Sequence, residues 1–285
     1  MAVETMRPGR ANGTGPIAGI DPFLVTNLVS DKLVVEIDWV AGAVPDEDAV
    51  QALEAVLRES CERGRRIEVN RDDEIPFAAW SEATASARGA ARLAGAWLDH
   101  DPAAWETTEL IYVLYVPSGD PWFDDGLSGF ATWLSVERDE PTVPVRTVFL
   151  FTERIREAAM LWVNGRKIER AMLVHELGHL VGLVGDPDHE QETYPGHCTT
   201  THCVMHRSGV GGMFVNAFPA VFAGKVHYRY CKRCRKEIDR GRVEWLRRAT
   251  EDPGVAEDLR ARREAAEKDA ARRAFWKERL PADEP

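Results

Sequence analysis

The run from Arg166 to Val184, RKIERAMLVHELGHLVGLV, constrains this chain more than any other segment. Leu173, Leu177, Leu180 and Val184 recur at i, i+4, i+7 and i+11, so the sequence predicts a helix over 166–184 with one face built for burial. Such a face needs a sheet or other helices to cover it. The sequence upstream supplies about five strands: Leu33 to Val40, the segment around Ile67, Leu110 to Val116, SGFATWLSVE from Ser128, and Arg146 to Phe151. Helical stretches run from Asp46 to about Cys61 and from Ser81 to Leu98. Strands alternating with helices predict an α/β fold with a mixed, twisted sheet.

Composition bounds the rest. With 285 residues and 44% hydrophobic positions, the chain can bury a sizeable core. No stretch approaches the roughly 18 apolar residues of a membrane-spanning helix. The N-terminus lacks the apolar core of a signal peptide, so a soluble, cytoplasmic protein with no membrane partner is expected. A net charge of −11 makes nucleic acid an unfavoured partner.

The first 20 residues are rich in Gly and Pro, and residues 1–30 read as a mobile tail ahead of a main domain over 31–234. Residues 235–285 carry 14 Lys plus Arg and 13 Asp plus Glu, which predicts a charged helical extension docked on the domain or on a partner.

Within the strong helix, His175, Glu176 and His179 form His-Glu-x-x-His. Histidines four apart lie about 40° apart around a helix, so both rings reach one metal ion, with Glu176 placed as a proton acceptor. Zinc lowers the pKa of a bound water to about 7, and a neighbouring carboxylate completes the nucleophile for amide hydrolysis. A catalytic zinc takes a third protein ligand, and His197, His189 and Asp186 compete for that position. Tyr194, in the loop before His197, is a candidate oxyanion stabiliser.

Four of the five cysteines, Cys198, Cys203, Cys231 and Cys234, crowd into the last third of the chain, where four thiolates suit a closed tetrahedral zinc site. Their setting also allows a second reading. Lys225 to Lys236, KVHYRYCKRCRK, interleaves basic and aromatic residues around a Cys-x-x-Cys knuckle, as a zinc-stabilised binding module for nucleic acid or protein would.

The run HELGHLVG, the pair His197-Cys198, four residues, Cys203-Val204-Met205, and the later Cys231-x-x-Cys234 together resemble the archaemetzincins, a family of metzincin-type zinc peptidases. The resemblance spans residues 175–234. It implies a zincin-like fold with two zinc ions per chain. One would be catalytic, on His175, His179 and His197 with Glu176 as general base. The other would be structural, on the four cysteines, with Met205 as the Met-turn beneath the catalytic ion. It also implies a peptide or protein substrate held by strand addition, with SGFATWLSVE as the candidate edge strand. The chain departs from the family in two respects: 14 residues separate Gly182 from His197, so that Gly185 stands where the third ligand is expected, and the gap from Met205 to Cys231 is longer than in the family pattern, which a loop can absorb.

Overall fold

The computed structural model describes residues 19–30, 32–62, 64–83, 87–99, 109–117, 128–136, 143–159, 164–207, 227–261 and 264. In chain order these form α1 (Pro22–Val25), β1 (Lys32–Val40), α2 (Glu47–Ser60), β2 (Arg66–Ile75), α3 (Phe77–Ala83), α4 (Ala87–Trp97), β3 (Glu109–Val116), β4 (Gly129–Val136), β5 (Val143–Phe151), α5 (Thr152–Ala158), α6 (Gly165–Val181) and α7 (Lys232–Glu251). The five strands make one sheet of order β2-β1-β3-β5-β4. β2, β1, β3 and β5 run parallel, and β4 lies antiparallel to β5 at one end.

The interior parallel strands are covered on both faces, which is why β3, ELIYVLYV, is buried along its whole length. Side chains alternate between the two sides. Leu33, Val35 and Ile37 of β1 with Ile111, Val113 and Tyr115 of β3 face a core shared with α2 and α6. Val34 and Val40 with Tyr112 and Leu114 face the opposite core, closed by Trp80 of α3 and by Leu93 and Ala94 of α4. The acidic positions of β1 are buried rather than solvated. Asp38 accepts from the Tyr112 hydroxyl at 2.8 Å, and Glu36 accepts from the Asp99 N–H at 2.7 Å.

α6 begins where Asn164 Oδ1 accepts from the Arg166 N–H at 3.0 Å. It stops at Gly182, whose φ of 81° is left-handed, so Val184 falls beyond the helix. The expected single buried face is only part of its burial. Ile168, Met172, Val174, His175, Glu176 and Val181 are buried alongside Leu173, Leu177 and Leu180, because α2, α5, β4 and β5 surround the helix.

Two sequence-based boundaries require correction. A tail through residue 30 does not hold for residues 19–30, where Ile20, Leu24 and Val25 are buried in the core; residues 1–18 lie outside the described residues. The Asp21 N–H donates to the Val181 carbonyl at 2.8 Å, and the Asp21 carboxylate pairs with Arg146 of β5. Gly19 and Gly182 pass so closely that a Cβ on Gly182 would lie 1.7 Å from the Gly19 carbonyl oxygen.

The boundary at 234/235 falls inside α7, so the charged extension is continuous with the cysteine segment. Cys234, Glu237, Ile238 and Gly241 form its buried stripe. Ile20 packs on Gly241, and Trp245 Nε1 donates to the Ile20 carbonyl at 3.1 Å. The start of the extension therefore docks on its own chain, while residues 265–285 lie outside the described residues.

Candidate metal centres

α6 carries His175 and His179 one turn apart, with their Nε2 atoms 3.1 Å from each other. His197 arrives from the loop beyond the helix, its ring centroid 5.2 Å from that of His175 and 5.1 Å from that of His179. Ligand atoms of all three rings lie within 4.8 Å of one another. Metal–nitrogen bonds of about 2.0–2.1 Å give tetrahedral N···N edges of about 3.3–3.4 Å, so the two helix histidines need little adjustment to share an ion.

Backbone carbonyls orient the rings. His175 Nδ1 lies 2.7 Å from the Val204 carbonyl, and His197 Nδ1 lies 3.2 Å from that of Pro195. With the proton on Nδ1, each ring keeps its Nε2 lone pair for a ligand bond. Burial pushes the pKa of His175 down to about 4, and it lowers those of His179 and His197 too, with further lowering from neighbouring groups. All three rings are therefore neutral at pH 7, the form that binds metal.

Glu176 is 5% exposed. Burial pushes its carboxyl up to about 8, opposed by a backbone hydrogen bond from Ala131 of β4. That bond holds the carboxyl group against β4, the end strand of the sheet. Gly178 lies between the two helix histidines, and a Cβ there would come 2.2 Å from Met205 Sδ and 3.2 Å from a ring carbon of Tyr230. Glycine thus lets the ligand-bearing turn rest on Met205, which is fully buried. Tyr230 anchors the same contact by donating from its hydroxyl to the Val174 carbonyl at 3.0 Å.

The long insertion is an excursion that returns. Glu190 and Cys198 form an antiparallel bridge, and the Gln191 N–H donates to the His197 carbonyl at 2.7 Å. Gly196, with φ 82°, turns the chain against the His179 ring just before His197.

The two alternatives for the third ligand go elsewhere. The Asp186 carboxylate accepts from Arg240 at 2.9 Å and from the Asp188 N–H at 3.0 Å. His189 is buried beside the cysteines, 3.7 Å from Cys234 Sγ and 3.3 Å from Glu237 Oε2. Gly185, at the family's ligand position, instead gives its N–H to Glu237. Tyr194 lies beneath the Arg207 guanidinium, 3.5 Å from its ring centroid, and its backbone carbonyl accepts from the His197 N–H.

The second group is closed. Sγ atoms of Cys198 and Cys231 are 3.8 Å apart, those of Cys203 and Cys234 3.6 Å, and those of Cys231 and Cys234 3.8 Å. Metal–sulfur bonds of about 2.3 Å give a tetrahedral edge of about 3.8 Å, so four thiolates fit one ion. The N–H groups of Thr200 and Cys231 point at Cys198 and Cys203 sulfurs, each at 3.3 Å, as thiolate ligands require. None of the five cysteines is in a disulfide. Cys61, the one outside the cluster, is pushed up to about 11 by burial and is correspondingly unreactive.

Glu237, whose buried carboxylate accepts from the N–H groups of Val184, Gly185 and Asp186, is the residue of this region that sequence reasoning missed. It sits in a charge-rich run, yet its i+3 spacing from Cys234, with Ile238 and Gly241 following, marks a buried helical stripe.

No family model matches the chain, and no curated protein matches it. Among solved structures, the chain is similar to an archaemetzincin from Methanopyrus kandleri, with a TM-score of 0.41 and 18% identity, over 74% of this chain and 96% of that one. A likeness at that level leaves the chemistry to be read from the residues themselves.

Proposed function

We propose that this protein is a zinc-dependent peptidase, with a catalytic ion on His175, His179 and His197 and a structural ion on the four cysteines. The observation that carries the reading is the convergence of three histidine rings at a helix that also carries the buried carboxyl group of Glu176. Zinc held there supplies Lewis-acid chemistry, acidifying a water and polarising a carbonyl.

The chain's own residues do the remainder. Glu176, held ionised despite its burial by the charge of an ion on the three histidines, would take the proton from the attacking water and hand it to the departing amine nitrogen. Its bond from Ala131 fixes the carboxylate next to β4, whose position at the end of the sheet suits an extended peptide adding as a further strand. Met205 forms an apolar floor under the ligand-bearing turn. Tyr194 would serve as oxyanion donor only after its ring leaves Arg207.

The nucleic-acid reading of the Lys225–Lys236 segment has less support, since Tyr230 is buried and Cys231 and Cys234 face the cluster. No helix among the described residues is long and apolar enough to cross a membrane, and a reducing compartment such as the cytoplasm keeps the thiolates available for zinc.

The test is Glu176→Gln in the full chain, with zinc per chain and cleavage of a quenched-fluorescence peptide library measured together. The expected result is two zinc ions in both proteins and a loss of cleavage of about 10²–10⁴-fold in the variant. Equal cleavage by both proteins would remove Glu176 from the mechanism. A wild type that carries both ions and cleaves nothing in the library would overturn the peptidase reading.

A further inference from the structure

The loop that presents His197 starts in a conformation valine avoids. Val184 has φ 63°, in the left-handed region, where a β-branched side chain is strained. Glu237 of α7, 1% exposed, holds it there. Its Oε2 accepts from the Val184 N–H at 3.0 Å, and its Oε1 accepts from the N–H groups of Gly185 at 2.8 Å and Asp186 at 3.0 Å. Three successive backbone N–H groups around one carboxylate make an anion nest whose anion is part of the protein.

The same carboxylate reaches onward. His189 Nε2 lies 3.3 Å from Glu237 Oε2, and the His189 carbonyl accepts from the Thr199 N–H at 2.8 Å. The next residue, Glu190, bridges Cys198, and the Gln191 N–H donates to the His197 carbonyl. A continuous run of contacts thus leads from Glu237 to His197, one residue before a cysteine of the second group.

We infer that Glu237 is a positioning residue for His197: it fixes both the departure of the loop from α6 and, through His189, its return. The inference rests on the reading of the three histidines as a metal site. Glu237 belongs to neither ligand set. Its effect falls mainly on the histidine site, because His197 reaches that site only through the excursion that Glu237 anchors, whereas Cys231 and Cys234 stand at the start of α7 and Cys203 is tied to them by the Cys231 N–H, outside the excursion.

The experiment uses the full chain loaded with cobalt(II) in place of zinc. The thiolate-to-cobalt charge-transfer band reports the cysteine group, and the visible band without charge transfer reports the histidine group. Titration with a chelator gives a dissociation constant for each.

Glu237→Gln is expected to weaken the histidine site by about 10–100-fold, the usual effect of losing a supporting partner, and to weaken the cysteine site much less. Adding Val184→Gly to that variant is expected to recover much of the loss, because glycine adopts positive φ without strain. Should Glu237→Gln fail to fold, Glu237→Asp carries the same comparison. Unchanged constants for both bands, or equal weakening of both, overturn the inference while the peptidase reading stands. A wild type showing only the cysteine band overturns the metal reading of the histidines and this inference with it.

Discussion

The histidine and cysteine groups are built from the same stretch of chain, with His197 and Cys198 adjacent, yet they differ in what surrounds them. The cysteine group offers four sulfurs at tetrahedral spacing and leaves no position for a further ligand. The histidine group offers three nitrogens and a buried carboxylate, and it lies against the end strand of the sheet. Closure stabilises a fold, whereas an open position does chemistry. Two neighbouring residues can therefore serve opposite purposes because one is held by sulfurs from α7 and the other by rings from α6.

The largest effect expected from breaking this contrast is at the cysteines. Cys203→Ser should abolish metal at that group and unfold the segments 198–207 and 227–238, since structural zinc contributes apparent binding energies on the order of 10 kcal/mol in small domains. Circular dichroism and thermal unfolding of the zinc-loaded variant check this, and a cooperative wild-type melt would contradict it. His179→Ala should act the other way, with one zinc ion lost per chain and folding retained, as read by metal content and the same melt.

Gly178→Ala tests the floor the two regions share. Its Cβ would meet Met205 Sδ at 2.2 Å, so the methionine must repack at about 1–3 kcal/mol. Urea unfolding at fixed zinc measures it, and an unchanged midpoint would show that Met205 moves freely.

Much of this was legible in the sequence, for identifiable reasons. β1, β3 and β5 announce themselves because interior parallel strands carry long apolar runs, whereas β2, RIEVNRDDEI, shows only around Ile67; the two helix histidines are legible because helical spacing alone brings them together. His197 could not be separated from His189 and Asp186, because closing a 14-residue excursion depends on contacts remote in sequence. Glu237 supplies those contacts from 52 positions beyond Gly185. The same remoteness hid residues 19–30, whose Gly- and Pro-rich approach resembles a tail until Val181, Arg146 and Gly241 are in place around them.

The crossing of Gly19 and Gly182 sets an order of events during synthesis. Ile20 leaves the ribosome early, but Gly241 and Trp245, which cover it, are added last among its partners. At about 5–20 residues per second, roughly 10–45 s pass between them, and the end of α6, once synthesised, waits about 3–13 s more for the residues that cover its strap. The nascent helix bearing His175 and His179 is thus complete in sequence well before it is complete in structure, and competence to hold an ion on three histidines should arise only after α7 has emerged.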